Sequence, residues 1–276
     1  MPELPEVETT ARILGPELMG RTIVGVRGID YPPLVEPLSP DEIARRLAGR
    51  RITRVGRRAK FLLLHLDDGA VLAVHLRMSG RLYLSPRTSP AEHHTHAVLE
   101  LDDGRALHFR DPRKFGRMRL LQPGEYAALD GRLGPEPLDG RWDASTLAGQ
   151  LRRRPRARLK ALLLDQRFLA GLGNIYSDEA LFRAGLHPAR PAGSLAPAEV
   201  ERLHQAIVAV LQEAIAANGT TLSDGIYLFG PGEAGRFAER LQVYGRAGKP
   251  CPRCGAAIAR ETLAGRSSHF CPHCQK

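Results

Sequence analysis

The chain has 276 residues, enough for two domains with cores of their own, and a hydrophobic content of 43% is ordinary for a folded protein. Its net charge of +10 favours a polyanionic partner, either nucleic acid or an acidic membrane surface. No apolar run approaches the roughly 18 residues of a membrane span. Acidic residues stand where a signal peptide would have a basic region and an apolar core, so we expect a soluble, cytoplasmic protein.

The first six residues, Met1-Pro2-Glu3-Leu4-Pro5-Glu6, place a potential nucleophile beside an acid. Methionine before proline is normally removed after synthesis, which leaves Pro2 with a free secondary amine. An α-amino group titrates near pH ~8, so a useful fraction is neutral and can form an iminium at a carbonyl-level carbon. Glu3 is close enough for acid–base work on the same centre. The alternative is purely structural, with Pro5 opening a helix whose dipole favours the acids around it.

Apolar residues recur at helical spacing over residues 5–19, and Gly20 ends this amphipathic helix. From there to about residue 120 the period changes to two, which predicts strands. The candidate strands are 22–26, 52–55, 61–66, 71–76, 81–84, 98–101, 106–109 and 118–121. A short helix at about 40–48 interrupts the series. Many short strands joined by turns predict a β-sandwich.

Residues 122–142 are rich in glycine, proline and acids, which is typical of a linker between domains. Helical spacing then resumes at about 144–153, 157–165, 175–184 and 197–217. Between the second and third of these helices, residues 165–174 can make two turns, and their glycines let backbone N–H groups approach a phosphate. A second glycine-rich loop, 219–236, is either a mobile lid or a disordered connection.

The four cysteines lie near the C-terminal end of the sequence, in the order Cys251-x2-Cys254, sixteen residues, Cys271-x2-Cys274. This spacing predicts one structural Zn²⁺ held by four thiolates, with a β-hairpin between the pairs, and redox pairing is the alternative. Because four thiolates fill a tetrahedral site, His269 and His273 are expected at the surface rather than on the metal. No organic cofactor is indicated.

Several ordered motifs along the chain resemble those of the bacterial formamidopyrimidine-DNA glycosylases. They are Pro-Glu-Leu-Pro-Glu-Val-Glu at 2–8, Arg-Arg-Ala-Lys at 57–60, His-Leu-Arg-Met-Ser-Gly at 75–80, Asp-Pro-Arg-Lys-Phe-Gly at 111–116, Gly-Leu-Gly-Asn-Ile-Tyr at 171–176, Leu-Gln-Val-Tyr-Gly-Arg at 241–246 and the cysteine hairpin. The resemblance covers the whole chain. So many motifs in one order are very unlikely by chance.

The resemblance implies an α+β multidomain fold, in which an N-terminal helix and β-sandwich precede a helical helix-two-turn-helix domain and a four-cysteine zinc-finger β-hairpin. The corresponding division is 1–121 for the catalytic β-sandwich domain, 122–142 for the linker, 143–236 for the helix-two-turn-helix domain with a lesion-recognition loop at about 219–236, and 237–276 for the zinc finger.

The resemblance also implies a bifunctional base-excision-repair enzyme, a DNA glycosylase and abasic-site lyase that removes oxidised purines such as 8-oxoguanine and formamidopyrimidines. By this resemblance the Pro2 nitrogen forms a Schiff base, and β- and δ-elimination follow. Glu3 matches the acid–base residue at the sugar, Lys60 the proton donor of the first elimination and Arg266 that of the second. Because arginine hardly deprotonates, a phosphate clamp suits Arg266 better. Lys60 also suits phosphate positioning, and without the resemblance it would equally be a solvated cation beside a strand.

The family's DNA-contacting positions are also present. Met78, Arg113 and Phe115 match residues that fill the gap left by the flipped nucleotide, with Arg113 able to bond the orphaned opposite base. Core packing is the alternative for the two apolar residues. The positions matching phosphate contacts are His75, His94, Arg156 and Asn174.

One residue favours a branch of the related enzymes, and two features depart from the family's pattern. Leu4 favours the purine-lesion branch over the related endonuclease VIII enzymes, which act on oxidised pyrimidines and usually begin Pro-Glu-Gly-Pro-Glu. The chain has His94-Thr95-His96 where the family often has His-Asp-His, and its 219–236 loop is about two residues longer than the commonest form. A non-catalytic damaged-DNA binding protein remains the alternative of a different class. The expected partner is double-stranded DNA with oxidised purines or abasic sites. We expect the protein to be a nucleoid-associated monomer that binds no membrane.

Overall fold

The structure is a computed structural model that describes residues 1–222, 225, 227–228 and 233–276. The chain divides into two compact units, one of residues 1–131 with 217–236 and one of residues 132–216 with 237–276. Among the residues described, no helix combines the length and the apolar character needed to cross a membrane.

The first unit contains two antiparallel four-stranded sheets. In chain order the strands are β1 (Ile23–Arg27), β2 (Ile52–Arg58), β3 (Phe61–Leu66), β4 (Val71–His75), β5 (Arg81–Pro86), β6 (Thr95–Leu101), β7 (Arg105–Arg110) and β8 (Arg117–Leu121). One sheet has the order β1-β6-β7-β5 and the other β2-β3-β4-β8. An apolar core shared by both sheets contains inward-facing residues of each, such as Leu64 and Phe109. The β-sandwich predicted from the period-two pattern is confirmed.

Helix α1 (Leu4–Leu18) covers one part of this core with Val7, Leu14 and Leu18. It begins with a capping box between Glu3 and Glu6, and Pro5 stands in its first turn, where the missing N–H costs nothing. Helix α2 (Pro40–Leu47) is capped by the Ser39 side chain, which accepts a hydrogen bond from the Glu42 backbone N–H.

Part of the predicted linker is helical. Helix α3 (Pro123–Asp130) lies in the stretch 122–142 and belongs to the first unit. Its Tyr126 and Leu129 pack on an apolar cluster of the β2-β3-β4-β8 sheet, and Arg58 donates to Asp130. The glycine and acids that suggested a linker are tolerated because most of this short helix faces solvent.

The glycine-rich loop 219–236 falls in a different unit from the domain to which the sequence analysis assigns it. Residues 217–236 belong to the compact unit of the β-sandwich rather than to that of the helical domain. Thr220 and Tyr227 both donate hydrogen bonds to Glu6 of α1, which ties the described part of this loop to the first unit. The rest of the expected lesion-recognition loop, residues 223–224, 226 and 229–232, lies outside the described residues.

The second unit contains four α-helices and a hairpin. These are α4 (Ala144–Arg152), α5 (Leu159–Leu164), α6 (Asn174–Ala184), α7 (Pro197–Ala216), β9 (Ala259–Leu263) and β10 (Arg266–Phe270). Between α5 and α6 the Gln166 side chain donates to Leu172 O and accepts from Gly171 N, which holds the two predicted turns together. Gly185 ends α6 in the left-handed conformation, with φ 71°.

Candidate active site and nucleic-acid interface

Pro2 and Glu3 are both buried at the start of α1. The Glu3 backbone is held on two sides, since its N–H donates to Glu6 Oε2 at 2.7 Å and its carbonyl accepts from Val7 N at 3.1 Å. The predicted nucleophile and acid therefore lie at a rigid helix start rather than on a frayed terminus. A secondary amine at Pro2 exists only when Met1 has been removed, because otherwise its nitrogen is an amide.

Glu6 is a residue whose importance the sequence analysis missed. Its Oε1 accepts from Thr220 N at 2.8 Å, and its backbone carbonyl accepts from the Tyr227 hydroxyl at 3.2 Å. Burial and the nearby Glu6 carboxylate raise the pKa of Tyr227, so the phenol remains a proton donor. A Cβ at Gly219 would lie 2.8 Å from Glu6 Oε1, so this close approach requires glycine. The Glu3-x-x-Glu6 spacing of a capping box was the available signal.

Lys60 lies in the two-residue turn between β2 and β3 and is 5% exposed. Ala59 before it is left-handed, with φ 52°. Arg57 holds this turn in place by donating to Ala59 O at 2.9 Å and to Glu8 Oε2 of α1 at 3.0 Å. Although burial opposes the effect, hydrogen bonds from Arg12 and Arg57 lower the pKa of Glu8. The alternative of a solvated cation does not fit a lysine buried to this degree.

His75 ends β4 and packs edge-on against Phe61, its cross-strand partner, with ring centroids 4.8 Å apart. Burial, with repulsion from Arg77 and Lys60, lowers the pKa of His75 to about 3. Its Nδ1 accepts from Arg77 N at 3.0 Å, so the neutral ring carries its hydrogen on Nε2. This arrangement makes His75 a neutral donor, suited to a phosphate oxygen without adding charge.

Asp111 links the three residues predicted to fill the gap in the duplex. This fully buried carboxylate accepts from the Ser79 hydroxyl, next to Met78, and from the backbone N–H groups of Arg113 and Gly116 at 3.2 and 2.7 Å. It therefore connects two loops that are 32 positions apart. The sequence analysis places Asp111 in a family motif but gives this residue no role. Aspartate often accepts a hydrogen bond from the backbone two residues later in a turn, and this pattern is the sequence signal for its role.

The loop organised by Asp111 presents Arg113 and Phe115 outward. Phe115 is 47% exposed, and the Arg113 guanidinium lies 5.0 Å from its ring centroid. Met78 is half-buried. An exposed aromatic ring under a guanidinium fits a base-contacting wedge, and core packing does not explain Phe115. A cavity of about 260 Å³ adjoins this loop, and Arg81, Arg110 and Arg113 line it.

His94 contributes to this loop through its backbone. It is left-handed, with φ 69°, and its carbonyl accepts from Asp111 N at 2.9 Å. Beside it, Thr95 stands where the family often has aspartate. His96 nevertheless has a carboxylate partner, because its Nδ1 lies 2.7 Å from Asp30 Oδ1.

In the second unit, Asn174 is the first residue of α6 after the N-cap Gly173. Its side-chain amide donates to Ser267 Oγ of β10 at 3.3 Å. Arg266, the first residue of β10, is exposed directly after a turn in which Ala264 and Gly265 are both left-handed. Arg156 is exposed between α4 and α5. The residues of this unit that are predicted to bind phosphates are therefore either exposed or at the start of a helix.

The four cysteine thiols converge, with all Sγ atoms within 4.8 Å of one another. The pairs Cys254–Cys271 and Cys251–Cys274 are 3.5 and 3.9 Å apart, close to the spacing of thiolates around a tetrahedral Zn²⁺. Backbone N–H groups of Arg253 and Cys274 point at cysteine sulfurs at 3.4 Å. The donor set and geometry fit one closed, structural zinc site.

One expectation about this tail is wrong. His273 is exposed as expected, but His269 is buried, with 6% of its surface accessible. Its backbone N–H and its Nδ1 both lie within hydrogen-bond distance of Asp178 Oδ2. The residue is a structural link between β10 and α6, because strand pairing turns its side chain toward the helix.

A β-sandwich with a buried Pro2-Glu3 pair and a second unit combining a helix-two-turn-helix with a zinc hairpin define a nucleic-acid-processing protein. Residues 1–118 match the family model of the formamidopyrimidine-DNA glycosylase N-terminal domain, residues 133–225 that of its H2TH domain, and residues 248–276 the zinc finger found in FPG and IleRS. The chain belongs to the formamidopyrimidine-DNA glycosylase family.

Individual relatives agree over the full length. The chain is 53% identical over 276 residues to the formamidopyrimidine-DNA glycosylase of Chloroflexus aurantiacus, covering 100% of this chain and 98% of the relative. The Thermus thermophilus Fpg structure matches with a TM-score of 0.88 and 47% identity, covering 99% and 98%. The Lactococcus lactis Fpg in complex with abasic-site DNA matches with a TM-score of 0.91 and 35% identity, covering 99% of both chains.

Proposed function

We propose that this protein is a base-excision-repair DNA glycosylase and abasic-site lyase for oxidised purines in double-stranded DNA. Family membership supports the activity, and the buried Pro2-Glu3 pair at the rigid start of α1 is the structural observation that carries the mechanism. We further propose that it acts as a monomer in the cytoplasm, at the nucleoid.

The reaction begins with the damaged nucleotide flipped out of the duplex, because the glycosidic bond is inaccessible inside the stack. The Pro2 nitrogen attacks the sugar C1′, and the bond to the base breaks. Glu3 donates a proton to the opening sugar ring oxygen, and an iminium joins Pro2 to C1′. Loss of a C2′ proton then expels the 3′ phosphate. A second elimination expels the 5′ phosphate.

Three basic residues serve phosphates of the substrate. Lys60, held by the turn that Arg57 braces, positions a phosphate and donates a proton during the first elimination. His75 adds a neutral Nε2–H donor. Arg266 clamps the phosphate that departs in the second elimination, since a guanidinium stabilises the anion but hardly releases a proton.

The exposed Arg113–Phe115 pair supports a role in the duplex itself. Phe115 and Met78 fill the space left by the flipped nucleotide, and Arg113 bonds the opposite base, most simply a cytosine. Asn174, at the N-terminus of α6, and Arg156 contact backbone phosphates. Zn²⁺ bound by the four cysteines stabilises the hairpin by on the order of 10 kcal/mol and takes no part in the chemistry.

Reductive trapping tests this proposal. Borohydride added during turnover on 8-oxoguanine DNA should give a covalent adduct that maps to the N-terminal peptide. A variant that keeps an N-terminal tag should not be trapped, because its Pro2 nitrogen is an amide. An adduct on Lys60 would make the first residues only a helix start, and absence of strand cleavage would leave a damaged-DNA binding protein. Faster release of thymine glycol than of 8-oxoguanine would indicate the endonuclease VIII specificity instead.

A further inference from the structure

We infer that Asp178 and His269 are positioning residues for Arg266, acting through strand β10, and that they govern the second elimination more than the first. The inference rests on the phosphate-clamp role of Arg266 in the proposed function. Its basis is the attachment of β10 to helix α6 by buried hydrogen bonds.

His269 is held by one carboxylate oxygen at two points. Asp178 Oδ2 accepts from the His269 backbone N–H at 2.9 Å and lies 3.0 Å from its Nδ1. Because an ionised carboxylate only accepts, Nδ1 carries the ring hydrogen in this contact. One bond fixes the strand, and the other fixes the rotation of the ring.

The other side of the same carboxylate is held equally firmly. Lys160 Nζ donates to Asp178 Oδ1 at 2.6 Å and to the Asn174 carbonyl at 3.0 Å. Lys160 and Asp178 are almost completely buried, with exposed fractions of 0% and 1%. Burying charges costs free energy unless they are paired and hydrogen-bonded, so this pair persists only with its partners in place.

A second hydrogen bond also joins β10 to α6. Asn174 Nδ2 donates to Ser267 Oγ, and Asn174 and Asp178 lie four residues apart on one face of α6. Ser267 and His269 lie two residues apart on one face of β10. A helix face and a strand face therefore meet at two points, and both the position and the tilt of the strand are set.

The same alternation determines where Arg266 lies. Its side chain projects from the opposite face of β10 to Ser267 and His269, and it is exposed. It stands three residues from His269, about 10 Å along the strand. The hairpin tip beyond it is a two-residue turn, so the described contacts that fix the Arg266 end of the strand to α6 are those of Ser267 and His269.

His269→Phe tests the inference, because it removes the Nδ1 donor while keeping a ring against Tyr244, whose ring lies 5.1 Å away. On DNA with a preformed abasic site, it should slow the second elimination by roughly tenfold or more, since small displacements of a positioned group cost that much. The rate of the first elimination should differ from that of the wild type by less than about twofold. Products ending in the unsaturated aldehyde should accumulate over those ending in 3′ phosphate.

Three further variants make the result specific. His269→Asn keeps a donor near the Nδ1 position and should restore the second elimination. His273→Phe changes an exposed histidine equally distant from Cys271 and should leave the product ratio unchanged. Arg266→Ala should give the same product bias as His269→Phe. Zinc content and amide exchange at residues 264–266 should be measured in each full-length variant.

The expected pattern is faster exchange at the hairpin tip in His269→Phe, full zinc occupancy and a selective loss of the second elimination. Three results would overturn the inference: an unchanged product ratio, equal slowing of both eliminations, or zinc loss that accounts for the effect. Arg266→Ala with wild-type products would remove the clamp role and the inference together. A wild-type protein that cleaves no strand would instead refute the proposed function.

Discussion

Thr220 donates its backbone N–H to the Glu6 carboxylate at 2.8 Å, although the two residues are 214 positions apart. The other oxygen of the same carboxylate accepts from Glu3 N. One buried side chain thus joins the start of the glycine-rich loop to the backbone of Glu3, the proposed acid beside the proposed nucleophile Pro2. Two hydrogen bonds through the Glu6 carboxylate therefore connect Thr220, at the base of this loop, to the Glu3 backbone.

Glu6→Gln should disturb both ends of this connection. A carboxamide offers one accepting oxygen, and its NH2 group then faces a backbone N–H. We expect a loss of about 1–3 kcal/mol in the free energy of unfolding. Base release should slow more than cleavage at a preformed abasic site. Urea unfolding and single-turnover assays would measure these effects, with the exposed Glu17→Gln as the matched control. Equal rates for Glu6→Gln and Glu17→Gln would contradict the connection.

Arg113→Ala should reduce discrimination between cytosine and other opposite bases by about 1–3 kcal/mol, because the proposed hydrogen bonding to a base edge is lost. The dependence of affinity on salt should change little, since no phosphate contact is removed. Binding measured against each opposite base at several salt concentrations would separate these effects. Lys114→Ala, which removes the adjacent cation, is the control. A uniform loss against every opposite base would show that Arg113 reads no base.

Cys254→Ser should lower the zinc content and the affinity for DNA while the β-sandwich stays folded. Zinc organises the hairpin that carries Arg266, whereas the sandwich has its own core. Metal analysis, DNA titration and near-ultraviolet circular dichroism would follow the three properties. A structural zinc site with four thiolate ligands needs every one of them, so Cys271→Ser should behave in the same way. Fully active protein without zinc would refute a structural metal.

His75 should make stability depend on pH. Its pKa is lowered to about 3 in the folded protein by burial, against about 6.5 when unfolded. Between these values the unfolded state binds one more proton, so acidification destabilises the fold by up to about 1.4 kcal/mol per pH unit. Above the unfolded pKa the effect vanishes. In urea unfolding, the free energy of unfolding of His75→Gln should depend less steeply on pH between pH 6 and 4. The difference in slope should correspond to on the order of one proton fewer taken up on unfolding. The exposed His273→Gln should keep the wild-type slope.

The sequence by itself determined the elements and the chemistry of local motifs. The sequence predicts strand β3 to the residue and the other seven strands to within a few positions, because alternate residues of each strand face one core. In β3 and β4 the opposite face is buried as well, so these two strands are almost continuously apolar. The cysteine spacing predicts a convergent metal site, since two Cys-x2-Cys loops joined by a hairpin can bring four thiolates together. The motifs around Pro2, Lys60 and Arg113 identified the family.

Tertiary structure decided how distant segments depend on one another. The glycine, proline and acids of residues 122–142 indicate a linker, and only the folded chain shows that Tyr126 and Leu129 of α3 pack on the sheet. His269 was expected at the surface because no local pattern reveals Asp178, 91 positions earlier. Local spacing indicates roles for Glu6 and Asp111, but not their distant partners Thr220 and Ser79. Helical and strand periods indicate which face of an element is buried. The partner of a buried polar group depends on packing between segments that are distant in sequence, and only folding brings those segments together.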